Sequence, residues 1–71
     1  MELNKGKLNQ SYTVVEIKTN DESMKEFLFS LGCFPGENLT IISKLAANFV
    51  ISVKDARYSI DENLAKCIIV E

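Results

Sequence analysis

The chain has 71 residues, 46% apolar and 25% charged, with a net charge of −2 and a pI near 5.1, which is one domain's worth of sequence in an ordinary globular mix. Its 8 Lys and Arg are scattered from Lys5 to Lys66 among 10 acids, which argues against the clustered basic footprint of a nucleic-acid binder. No apolar run approaches the roughly 20 residues that span a bilayer, and Met1-Glu2-Leu3-Asn4-Lys5 has no apolar stretch of the secretion-signal kind, so a cytoplasmic location without membrane insertion is expected.

Leu3 to Ser11 is polar with spaced leucines and is expected to lie over the domain. Tyr12 to Lys18 is rich in β-branched residues and reads as a strand. Its alternation slips between Val14 and Val15, the mark of a bulge or of two buried faces. Thr19-Asn20-Asp21-Glu22 then carries a capping box, Thr19 with Glu22, although Asn20 or Asp21 is an equally placed cap. Met24, Phe27, Leu28 and Leu31 follow at helical spacing, and Gly32 stands where a helix wants a left-handed terminator. Phe34-Pro35-Gly36-Glu37 has the chemistry of a type II turn.

Beyond it, Leu39, Ile41 and Leu45 alternate with polar or outward residues in a strand. Ala46-Ala47-Asn48 turns the chain into a second strand carrying Phe49, Ile51 and Val53. Lys54-Asp55-Ala56 turns it again into Arg57-Tyr58-Ser59-Ile60. Asp61 to Ala65 begins with a capping residue and reads as one helical turn, and Cys67 to Val70 as a closing strand. Five short strands leave two hydrophobic edges unless the sheet curls. The expected fold is mainly β, a small SH3-like barrel of about five strands with one inserted α-helix, and residues 1–71 are read as a single domain.

The stretch Phe27-Leu28-Phe29-Ser30-Leu31-Gly32-Cys33-Phe34-Pro35-Gly36 resembles a signature of the ferrous iron transport protein A (FeoA) family: a basic residue, two apolar residues, then x-Leu-Gly-x-x-Pro-Gly. Ala65-x-x-Ile68-x-Val70 is similar to that family's last residues, and the order of elements agrees from Tyr12 onward. The resemblance implies an SH3-like fold and a cytosolic accessory or regulatory role at the cytosolic domain of a FeoB-type ferrous iron permease. It also implies kinship with the barrel domain of metal-dependent transcription regulators. The chain departs from the pattern at Phe27, where the family usually has Arg or Lys, at the short Leu45-Ala46-Ala47-Asn48 loop, and at Ser59-Ile60-Asp61.

Candidate chemistry is sparse. There is no His, the commonest transition-metal ligand and the usual base for a Cys or Ser nucleophile. Cys33 and Cys67 form no CxxC pair and are expected to be free thiols. No cofactor, no tight ferrous iron site and no enzymatic activity are expected. Asp21-Glu22 and Asp61-Glu62 fall at helix starts, where carboxylates favour the positive end of the macrodipole. Gly6, Gly32 and Gly36 make no phosphate cradle. A metal-sensing repressor would need a helix-turn-helix, which is missing, and a nucleic-acid-binding barrel is opposed by the acidity. What remains is an interaction surface. Phe27, Phe29 and Phe34 crowd one short segment and are the expected partner contacts. On a helical count, Phe27 flanks the buried stripe and Phe29 points away from it, whereas the family resemblance makes position 29 the apolar one.

Overall fold

The β-rich alternation read from the sequence forms one curled five-stranded antiparallel sheet in a computed structural model that describes all 71 residues. The elements are β1 (Ser11–Ile17), α1 (Glu22–Ser30), β2 (Asn38–Leu45), β3 (Asn48–Val53), β4 (Ala56–Asp61), α2 (Glu62–Cys67) and β5 (Ile68–Val70), with a 3-10 turn at Leu3–Lys5 ahead of them. The strand order is β4-β3-β2-β1-β5.

The phase slip in β1 is the pivot of this sheet. Tyr12 and Thr13 pair with Leu39 and Asn38 of β2, whereas Val14 and Ile17 pair with Val70 and Ile68 of β5. The register shifts between Val14 and Glu16, leaving Val15 bulged and exposed. A bulge bends its strand and increases the local twist, so one strand serves both halves of the curl. A second register shift between Ile41 and Ser43 bends β2 in the same way. Strands β4 and β5 do not pair with each other. Helix α2 carries the chain from one to the other and packs against β3, β4 and the N-terminal 3-10 turn.

The inward side chains meet in one apolar core that includes Val14, Leu39, Ile41, Phe49, Ile51 and Ile68, all at 1% exposure or less. The N-terminal segment does more than lie over the barrel, because Leu3 is fully buried. Burying such a side chain stabilises by about 2 kcal/mol. Gly6 lets the segment sit this close: a Cβ there would come within 2.8 Å of Ile41 Cδ1 and 3.0 Å of Tyr12 Cε2. The Lys7 amide donates to the Tyr12 hydroxyl at 2.8 Å and fixes the segment's far side.

Several boundaries differ from the sequence reading. Strand β1 is Ser11–Ile17, one residue earlier than read, and Asn48 already pairs with Leu45, so the β2–β3 turn is only Ala46-Ala47. The turn between β3 and β4 is only Lys54-Asp55, both at positive φ (50° and 66°), and Ala56 already pairs with Val53. Two successive left-handed residues make a type I′ turn, whose twist matches the strands it joins. Helix α2 runs on to Cys67, so β5 starts at Ile68. The Asp61 side chain caps α2 by accepting from the Leu64 amide at 2.9 Å.

Candidate functional site

The corner that holds Phe27, Phe29 and Phe34 is built by three backbone devices in succession. Helix α1 starts on Asp21, whose Oδ1 accepts from the amides of Ser23 (2.9 Å) and Met24 (3.2 Å). Of the three candidate caps, Asp21 therefore takes the role. Thr19 is already committed, because its hydroxyl accepts from the Asp21 amide at 3.1 Å.

The helix ends in a Schellman motif. Gly32 has φ +101°, its amide donates to the Phe29 carbonyl, and the Cys33 amide reaches back to the Leu28 carbonyl. Leu28 and Cys33, the two residues such a motif brings into apolar contact, are both fully buried. The type II turn expected at Phe34-Pro35-Gly36-Glu37 follows, with Gly36 at φ +93° and the Glu37 amide donating to the Phe34 carbonyl at 2.9 Å. That turn is tied to the barrel by paired bonds with β1: Gly36 N–H to the Val14 carbonyl and Val14 N–H to the Glu37 carbonyl, each 2.8 Å. The turn is thus held as an extension of the sheet rather than as a free loop.

On this rigid corner the Phe29 and Phe34 rings stack, with centroids 5.1 Å apart and planes 22° from parallel. An offset pair of this kind is worth about 0.5–1.5 kcal/mol beyond its buried area. Phe29 packs partly into the core, while Phe34 is 44% and Phe27 47% exposed. The helical count had placed Phe27 beside the buried stripe and Phe29 away from it, and the structure reverses them. Only Leu28 of α1 is fully buried, and Met24 is half-buried. The C-terminal half of the helix sits on the barrel, and Phe34 folds back to cover Phe29, so ring burial follows the turn after the helix rather than the helical wheel. Phe27 stacks on neither ring.

Two lysines complete the corner. Lys25 Nζ lies 5.8 Å from the Phe29 ring centre, and Lys54 Nζ lies 5.9 Å from that of Phe34. Lys54 also pairs with Glu37 Oε1 at 3.4 Å. Lys25 stands four residues before Phe29, a spacing legible in sequence. Lys54 arrives from the β3–β4 turn, and no local pattern signals it.

Elsewhere, no three His, Cys, Asp or Glu side chains come together in a metal-holding group. Cys33 is fully buried, and desolvation pushes its thiol up to about 11. The thiolate, which is the nucleophile and metal ligand, is thereby disfavoured. Cys67 is half-buried, with its Sγ donating to the Asn63 carbonyl at 3.3 Å. Tyr12 and Phe49 are core residues, so they are not available to stack on bases. No helix is long and apolar enough to cross a membrane.

Known structures share this architecture. An iron uptake regulatory protein, FeoA, superposes with a TM-score of 0.90 at 24% identity, covering all of this chain and 93% of that one. Stenotrophomonas maltophilia FeoA in complex with zinc, described as a prokaryotic SH3 domain protein, gives 0.89 at 21% identity over 100% of this chain and 89% of that one. A manganese-dependent transcriptional repressor gives 0.90 at 19% identity, with 99% of this chain matching 40% of the repressor. No curated protein matches by sequence. Identities this low establish the SH3-like fold, and the family is established by sequence: the FeoA domain model matches residues 1–71. The Leu31-Gly32-x-x-Pro35-Gly36 corner, the split first strand and the whole-length match lead to one assignment, that this chain belongs to the FeoA domain family.

Proposed function

We propose that the chain is a non-catalytic, cytoplasmic accessory module of ferrous iron transport, taking residues 1–71 as one unit, and that it docks onto the cytosolic domain of a FeoB-type permease through Phe27, Phe29 and Phe34. Family membership supports the link to iron transport, as does the description of the S. maltophilia relative as a candidate activating factor for such transport. The observation that carries the docking surface is the stacked Phe29–Phe34 pair with Phe34 and Phe27 about half exposed on a corner braced by the Gly32 and Gly36 turns. Rigid, exposed aromatics lose little entropy on binding, and aromatic anchors carry much of the energy at protein interfaces.

The shared fold with the manganese-dependent repressor supports a second reading, in which this barrel serves a transcription regulator. The match of the FeoA domain model over residues 1–71 favours the transport reading. In either case the module works through contact, carrying no iron and binding no nucleic acid.

The test is a titration of the permease's cytosolic domain with the wild-type chain and with Phe34→Ser. Loss of an anchor predicts weakening by about 30-fold, the equivalent of ~2 kcal/mol. Unchanged affinity in a natively folded variant would place the docking surface elsewhere.

A further inference from the structure

The two ends of the sheet are finished differently. At the β5 end, the Met1 amino group donates to the Val70 carbonyl at 2.8 Å, the Val70 amide donates to the Met1 carbonyl at 2.8 Å, and Glu2 bridges to Ile69. That edge is covered by the chain's own N-terminal residues. At the other end, β4 pairs with β3 alone, and no backbone hydrogen bond from a turn, loop or cap reaches Arg57 or Ser59.

The direction of the free groups follows from the turn. In a hairpin closed by a two-residue turn, the flanking pair exchanges hydrogen bonds and the pattern then alternates. Val53–Ala56, Ile51–Tyr58 and Phe49–Ile60 are therefore the bonded pairs across β3 and β4. The backbone groups of Arg57 and Ser59 point outward along the free edge, and their side chains, like that of Asp61, are exposed.

We infer that this edge is a self-association surface, on which β4 pairs antiparallel with β4 of a second copy of this chain about a two-fold axis at Ser59. In that register Ser59 faces Ser59, and Arg57 faces Asp61 of the other copy, twice by symmetry. Opposite charges directly across a strand pair are favourable. Asp61 caps α2 with Oδ1 only, which leaves Oδ2 for the guanidinium. The neighbouring registers lose this pairing. Centring on Tyr58 opposes Asp55 to Asp61, centring on Arg57 opposes the two arginines, and centring on Ile60 sets Ser59 against Asp61 and leaves Arg57 without its counter-charge. A lone cation on an edge strand is a common guard against pairing, but here its counter-charge stands at the position that two-fold symmetry brings opposite. Because the β5 edge is covered, a head-to-tail β4-to-β5 contact is blocked, so association closes at a dimer instead of growing.

Position 59 offers a test that spares the fold, since it is exposed and lies on the axis. Sedimentation velocity over a concentration series should show the full wild-type chain moving from monomer to dimer. Ser59→Lys and Ser59→Glu, each of which sets like charges face to face, should stay monomeric at every concentration. An equimolar mixture of the two variants should regain the dimer. A wild-type chain that remains monomeric throughout, a Ser59→Lys protein that dimerises like wild type, or a mixture that fails to associate where wild type does would each overturn the inference. The experiment contains no permease, so its result is independent of the docking test with Phe34→Ser.

Discussion

Phe49 and Phe34 are the same residue, each with a lysine near its ring, at 5.1 Å for Lys44 and 5.9 Å for Lys54, yet one is 1% exposed and the other 44%. Phe49 sits in β3, where alternation puts every second side chain into the barrel and a two-sided sheet leaves no choice of face. Phe34 sits between two glycines at positive φ, in a segment whose course is set by the end of α1 and the Pro35-Gly36 turn. In the strand wall, side-chain burial dictates the structure. In the helix–turn corner, backbone geometry dictates it, and the side chains that happen to project are left free for use.

Removing the ring in the wall breaks this comparison most severely. Phe49→Ala deletes a fully buried aromatic, and such changes cost about 3–5 kcal/mol. A domain of this size has about 5 kcal/mol or less to lose. Denaturant melts should find the variant largely unfolded, and a cost well under 1 kcal/mol would show that the wall does not depend on Phe49.

The next effect comes from Cys33, the point where the corner plugs into the core. Its thiol is raised from 9.0 to about 11 by burial, so the folded state holds this proton more tightly than the unfolded chain. The contribution is fully present below pH 9 and is lost as pH rises through 11, about 2–3 kcal/mol in all. Stability measured from pH 8 to 11 should therefore fall more steeply for wild type than for Cys33→Ala, which lacks the shielded thiol. Parallel curves would mean that Cys33 is not shielded as described.

The smallest stability effect belongs to Phe34→Ser. It removes one stacking partner and a half-exposed ring, and the melt should shift by about 1 kcal/mol or less. A cost comparable to that of Phe49→Ala would make Phe34 a structural residue and erase the distinction between wall and corner.

Much of this was legible in the sequence, because the decisive signals are local. The β1 bulge showed as a phase slip at Val14–Val15, and the Schellman end and type II turn showed as Gly32 and Pro35-Gly36. The five strands showed as period-two alternation. What the sequence hid was non-local. The burial of Phe29 beneath Phe34 runs opposite to the helical count and agrees with the family resemblance at position 29; its cause, the way the turn folds back, is not written in the helix itself. Lys54 reaches the aromatic corner only because the β3–β4 hairpin places it there, and the depth of Leu3 follows from the close fit allowed at Gly6.

The most direct test of the docking corner is a map of amide chemical-shift changes on the labelled chain as the permease's cytosolic domain is added. The account predicts perturbations concentrated over residues 25–37 and at Lys54, with β3 largely silent. Changes confined to the β4 edge or the N-terminal segment, or no changes at all at saturating partner, would contradict it.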